Sequence, residues 1–175
     1  MKNFPNKHLT EIEFLDTIDM FKDKLFRFAK RLLVSHEEAQ DAVQEVVLKL
    51  WVQKEKMINY RNIEAFAMTM TKNYCLDRLK SKQAGNLQLI HSNYWDQERL
   101  EKKIEDRESV MLLNRLMEDL PIQQQMIVQL RDVEQFDFKQ IAEIMNMSQG
   151  AIRVALSRAR NTLKKALLKI HEYGT

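Results

Sequence analysis

Three features predict an all-α chain: a helix-forming composition, apolar residues recurring at i, i+3, i+4 and i+7, and cap residues ahead of each such run. Only 3 Gly and 2 Pro occur in 175 residues. Met, Leu, Glu, Lys and Gln, all good helix formers, are abundant. No alternating apolar–polar stretch of useful length marks a strand. The expected architecture is two small helical domains joined by a flexible linker, the C-terminal one a helix-turn-helix.

The helices can be read from their starts. Thr10 with Glu13 is a capping-box pair, in which the hydroxyl accepts from a backbone N–H and the acid returns a bond to the cap. It opens a helical stretch that carries on through Phe21, Leu25, Phe28 and Leu32. Ser35 with Glu38 is a second such pair and starts a helix with the apolar stripe Ala39, Ala42, Val43, Val46, Leu50 and Trp51. After a short connection over residues 57–61, Asn62 caps a third helix with Ile63, Phe66, Ala67, Met70 and Tyr74 on one face. That helix ends in the basic run Arg78, Lys80, Lys82, and residues 1–82 form the first domain. Residues 83–106 read as a linker, with Ala84, Gly85 and Asn86 as breakers and an isolated Tyr94-Trp95 pair among polar residues. The second domain, 107–175, resumes with Val110, Leu113, Met117 and Leu120. Pro121, suited to a first helical turn, then starts a helix with Met126, Ile127 and Leu130.

The chain closes on two amphipathic helices with a tight break between them. Phe138, Ile141, Ala142 and Met145 form the stripe of the first; Ile152, Ala155, Leu156, Ala159 and Leu163 form that of the second. Asp137 and Gln140 make a capping box, Asn146 stands where a left-handed residue is needed, and Ser148 caps the second helix. This is a helix-turn-helix pattern, whose second helix enters a major groove. From Met147 to Ile170 there are six basic residues (Arg153, Arg158, Arg160, Lys164, Lys165, Lys169) and no acid. Residues 120–146 hold two basic and four acidic residues, so the local charge steps from −2 to +6 at the turn. Such a segment attracts phosphates whatever their sequence.

Composition narrows the remaining function classes. The net charge of +3 divides into basic ends, 15 basic against 12 acidic over residues 1–82 and 8 against 5 over 120–175, around an acidic middle of 5 against 8. One cysteine excludes an internal disulfide and points to an intracellular, cytoplasmic setting; Cys75 reads as a small apolar filler. The four histidines are scattered without metal-ligand spacing. No apolar run reaches the roughly 18 residues of a membrane span, so no direct membrane insertion is expected. No nucleophile–base pairing or glycine-rich phosphate loop occurs, and no catalytic residue, metal or cofactor is expected.

Three segments, in order, resemble bacterial RNA polymerase sigma factors of the extracytoplasmic-function (ECF) class. HEEAQDAVQEVVLKLW, residues 36–51, is similar to their core-polymerase-binding helix. NIEAFAMTMTKNYCLDRLKSK, residues 62–82, is similar to the helix that follows it. Residues 120–165, from LPIQQQMIVQL through the helix-turn-helix, resemble the C-terminal promoter-reading domain. The resemblance implies a dissociable polymerase subunit with core RNA polymerase, promoter DNA and an anti-sigma factor as partners.

Asp41, Gln44, Glu45 and Leu48 lie at i, i+3, i+4 and i+7, a largely polar face opposite the apolar stripe. Such a face also serves as a plain solvated surface; the resemblance implies that it docks on the polymerase clamp. Asn73, Asp77, Arg78 and Lys80 cluster near a helix end, where a hydrogen-bond network closing the helix is one reading. The resemblance implies proximity to the unpaired non-template strand of the minus-10 element, which calls for cations and stacking faces. Phe66, Met68 and Thr71 stand where the family more often has Trp, an aromatic and Ala, so aromatic stacking on this helix is expected to be poor.

On the last helix the positions off the buried stripe are Gln149, Arg153, Val154, Ser157, Arg158 and Arg160. Arg153, on the early turns, suits bidentate reading of a guanine in the minus-35 element. Arg160 and Lys164 suit phosphate contacts, which set register without reading sequence. The other reading of the whole chain is a helix-turn-helix transcriptional regulator with an N-terminal effector or dimerisation domain. The two differ in whether the chain binds core polymerase and supports initiation as a monomer.

Overall fold

A computed structural model describes residues 9–57, 59–84 and 104–173. Helices and their connecting turns account for the secondary structure there, with no strand among the described residues. The chain divides into two compact units, Met1–His91 and Ser92–Thr175. Most of the expected linker, with the Tyr94-Trp95 pair, lies outside the described residues. Its two ends are helical: Gln83 and Ala84 belong to one helix and residues 104–106 to the next.

The first unit contains α1 (Glu11–Asp19), α2 (Lys22–Leu33), α3 (His36–Val52), the single turn α4 (Lys54–Met57) and α5 (Ile63–Ala84). The Thr10–Glu13 capping box is complete. The helical stretch expected to run on from it breaks at Met20 and Phe21, although neither residue is a helix breaker. Phe21, at φ −134° and ψ −3°, leaves the helix and stays buried, while Met20 turns to solvent. The break lets α1 follow its own packing partner: Phe14 meets the Trp51 ring edge-on, with centroids 5.0 Å apart.

The second expected capping box is only half made. Ser35 accepts from the Glu38 N–H at 3.3 Å, but the Glu38 carboxylate is drawn across to α5. There it takes Lys82 Nζ at 2.5 Å and stands 3.5 Å from an Arg78 nitrogen. Two cations on another helix outcompete one local N–H. Lys24 to Glu64, 2.6 Å, ties α2 to α5 in the same way.

The core of this unit lies among α2, α3 and α5, around Leu25, Phe28, Ala39, Ala42, Val46, Leu50, Met68 and Cys75. Each Leu, Val or Phe removed from water here contributes roughly 1.5–3 kcal/mol. On α5 the buried residues agree with the expected face at Ala67 alone. Ala67, Met68, Thr71 and Cys75 are wholly buried, whereas Ile63, Phe66, Met70 and Tyr74 are half-buried. Because α5 packs on both α2 and α3, its inner side combines the small Ala67, Thr71 and Cys75 with Met68, and the other large apolar residues lie on its flank. Thr71 is tolerated there because its hydroxyl donates to the Ala67 carbonyl at 2.9 Å. Burial pushes the Cys75 thiol up to about 12, in keeping with a filler role.

The second unit contains α6 (Ile104–Glu118), α7 (Ile122–Val128), a π-helical turn (Gln129–Val133), α8 (Phe138–Met145) and α9 (Gln149–Tyr173). Pro121 sits at the N-cap of α7, one position ahead of the first turn expected for it. Leu113, expected in the core, is exposed, while Met117 and Leu120 are buried. The π turn widens the end of α7: Glu134 N–H donates to Gln129 O and Phe136 N–H to Leu130 O, each at 2.9 Å. It encloses a buried polar pair, Gln129 Nε2 donating to Glu134 Oε1 at 2.9 Å. Gln135, at φ 62°, then reverses the chain towards α8.

Candidate nucleic-acid and partner interfaces

The path from α8 to α9 is built by short polar groups. Asp137 Oδ1 accepts from the Gln140 N–H at 2.8 Å, and Gln140 Oε1 accepts from the Asp137 N–H at 2.9 Å, completing the box. Asn146 ends α8 in the left-handed region, at φ 52° and ψ 50°. The Met147 N–H donates to Ala142 O at 3.0 Å, as in a helix C-terminal motif. Ser148 then accepts from the Ala151 N–H at 3.2 Å and starts α9. Ile141, Ile144, Ile152, Leu156 and Ala159 are buried where the two helices pack. The arrangement is a helix-turn-helix, and α9 runs on well beyond the part that packs on α8.

Burying that stripe leaves Gln149, Arg153, Val154, Ser157, Arg158, Arg160 and Lys164 exposed on α9. They are not equally free. Arg160 bonds Asp132 of the π turn with both arms of its guanidinium, Nε to Oδ2 at 3.1 Å and Nη2 to Oδ1. That hydrogen bond raises its pKa further, so the expected phosphate contact already has an intramolecular anion. Arg153 lies over the Phe138 ring, its guanidinium carbon 4.7 Å from the centroid. Sequence reasoning missed both contacts; neither neighbour is close in the chain.

In the first unit, Asp41, Gln44 and Leu48 are exposed along α3, and Glu45 is half-buried and paired with Lys49 at 3.2 Å. Leu48 is 58% exposed and Val52, one turn on, 80% exposed. Val52 extends this face and was legible from its i+4 spacing. Asn73, Asp77 and Arg78 line a shallow depression between α3 and α5, with Val46, Lys49, Met70 and Tyr74 completing its walls. Lys80 is exposed beyond it. Met68 and Thr71 are buried and present nothing to a ligand. Aromatic surface comes instead from Tyr60, in the preceding connection, whose ring stacks on Phe66 at 4.5 Å and 35°. Among the described residues no group of three His, Cys, Asp or Glu is placed to hold a metal ion, and no helix is long and apolar enough to cross a membrane.

Comparison with known proteins matches both units. Residues 17–85 match the family model for sigma-70 region 2, and residues 111–163 that for sigma-70 region 4. The ECF RNA polymerase sigma factor SigW of Bacillus subtilis is 23% identical over 165 residues, covering 88% of each chain. The RNA polymerase sigma-H factor of Pseudomonas aeruginosa is 24% identical over 161 residues, covering 84% of this chain and 82% of that one. In fold, the chain is similar to the sigma factor RpoE of Bartonella quintana, solved with the anti-sigma factor NepR. That likeness has a TM-score of 0.74 at 22% identity and covers 89% of this chain and 96% of that one. The two regions together define a transcription initiation factor and set aside the regulator reading. The chain belongs to the sigma-70 family as an ECF sigma factor, an alternative sigma factor that directs transcription initiation.

Proposed function

We propose that the two units divide the work of initiation. Unit one, taken as residues 1–82, binds core RNA polymerase through Asp41, Gln44, Glu45 and Leu48 of α3, with Val52 extending the contact. Unit two, residues 107–175, holds the minus-35 element in front of α9. Residues 83–106 join them. The observation that carries this reading is the early part of α9, where Gln149, Arg153, Val154 and Ser157 are exposed on a helix that bears six cations and no acid from Met147 to Ile170.

Arg153 reads a base edge, because side chains on the first turns of a recognition helix reach the groove floor. Lys164 stands three turns later and neutralises a phosphate, with Arg158 and, once released from Asp132, Arg160. At the minus-10 element Asn73, Asp77, Arg78 and Lys80 lie along the single strand, and the stacking surface comes from Tyr60, just ahead of α5, with Phe66 in the first turn of α5. The chain acts in the cytoplasm, contributes no catalytic step of its own, and is held inactive by an anti-sigma factor; RpoE was solved with such a protein bound.

The test is promoter binding by the holoenzyme across single-base variants and salt concentrations. Arg153→Ala should cost about 1–3 kcal/mol and relax preference at one base pair. Lys164→Ala should weaken every promoter similarly and reduce the salt slope by about one unit. Equal loss for all sequences in Arg153→Ala would assign this arginine to a phosphate instead.

A further inference from the structure

Phe138 is the first residue of α8, and two arginines gather on its ring. The guanidinium carbon of Arg131 lies 4.8 Å from the ring centroid and that of Arg153 4.7 Å. Arg131 is anchored independently, its Nη1 donating to the Phe136 carbonyl at 2.8 Å. Arg153 is not: its other contact, Nη2 to Gln149 Oε1, is 3.4 Å, at the long limit of a hydrogen bond. The ring is therefore the main restraint on the Arg153 guanidinium. Helix capping does not require it, because the Asp137–Gln140 box already satisfies the start of α8.

We infer that Phe138 is a specificity-positioning residue: its ring holds the Arg153 guanidinium in the attitude in which it meets the base edge. A cation held by the face of a ring keeps its in-plane N–H fork available for bidentate bonds. Arginine has much rotamer freedom to lose on binding, and a side chain ordered beforehand loses less of it at the moment of recognition. Arg131 fixes the ring from the preceding turn, so the restraint runs from the Phe136 carbonyl through Arg131 and Phe138 to Arg153. The inference rests on the reading of Arg153 as the base-contacting residue.

The experiment uses the full chain assembled with core RNA polymerase. The probes are the tightest duplex recovered from a random-sequence library and the panel of its single-base-pair variants. Phe138→Leu, which keeps apolar bulk without a ring face, should reduce discrimination at the Arg153 base pair about two- to fivefold, the usual strength of an exposed cation–π contact. Phe138→Tyr should retain it. In an Arg153→Ala background, Phe138→Leu should change discrimination no further. In the free protein, relaxation of the Arg153 Nε–Hε group should report an ordered side chain in the wild type and a mobile one in Phe138→Leu.

Uniform loss of affinity in Phe138→Leu, additive with Arg153→Ala, would overturn the inference. So would a mobile Arg153 in the wild type, a result that stands even if Phe138→Leu does not fold. If Arg153→Ala itself shows no base-specific loss, the underlying reading of Arg153 fails. If it does and Phe138→Leu does not, the inference about Phe138 fails alone.

Discussion

Asp132→Asn separates stability from DNA affinity, because the Arg160 ion pair serves the two in opposite directions. In the free chain the Arg160 guanidinium spans both carboxylate oxygens of Asp132 and joins the middle of α9 to the π turn. The side chains are 55% and 33% exposed, so solvent screens most of the attraction. Exposed pairs contribute about 0.2–1 kcal/mol, and a two-armed geometry belongs at the upper end. Asparagine keeps one acceptor oxygen, so the variant should lose about 0.5–1 kcal/mol, a few degrees in the melting temperature of a unit this size. DNA binding should move the other way. The substitution removes an acid beside α9 and frees a cation, and one more neutralised phosphate adds about 0.9 to the slope of log affinity against log salt. Circular dichroism melting and holoenzyme binding from low to moderate salt measure the two effects. Arg160→Ala should lose stability comparably and flatten the slope. A variant Asp132→Asn with lower affinity and an unchanged slope would show that Asp132 aims Arg160 at the DNA rather than withholding it.

Reversing Asp41 and Glu45 to Lys should weaken binding to core polymerase while helicity by circular dichroism stays unchanged, since both groups lie on the solvent side of α3; wild-type affinity would remove that face from the interface. Cys75, its thiol raised from 9.0 to about 12 by burial, should resist alkylation at pH 8 in the native chain and react quickly once unfolded. With the folded pKa above the unfolded one, its contribution is full below pH 9 and is lost as pH rises towards 12, so Cys75→Ala should flatten the fall of melting temperature over that window. Limited proteolysis should cut first within residues 83–106 if the proposed division holds; early cleavage inside α2, α3 or α9 would contradict it.

What the sequence disclosed was local. Thr10, Asn62, Asp137, Asn146 and Ser148 each act on backbone groups within a few residues, and the structure has them capping or turning as expected. The contacts that went unseen are those in which a distant group outbids a near one. Glu38 left its own cap for Lys82 and Arg78 on α5. The stripe from Phe14 to Leu32 keeps heptad spacing through Phe21, so nothing local announces the break between α1 and α2 or the contact of Phe14 with Trp51. The inner face of α5 is lined by Ala67, Met68, Thr71 and Cys75; of these only Ala67 falls on the helical run through Ile63, Phe66, Met70 and Tyr74, which occupy the flank. At the candidate interface the exposure of the α9 positions followed from their spacing. The engagement of Arg160 by Asp132 and of Arg153 by Phe138 depends on how the π turn and α8 are placed against α9.

Run-off transcription with purified core RNA polymerase and a promoter library asks whether this chain gives the polymerase its choice of promoter. Core alone should yield no specific transcript, and adding this chain as a monomer should yield transcripts from a defined subset of promoters sharing minus-35 and minus-10 elements. Specific DNA binding without core polymerase, accompanied by no gain in initiation when the two are combined, would contradict that role.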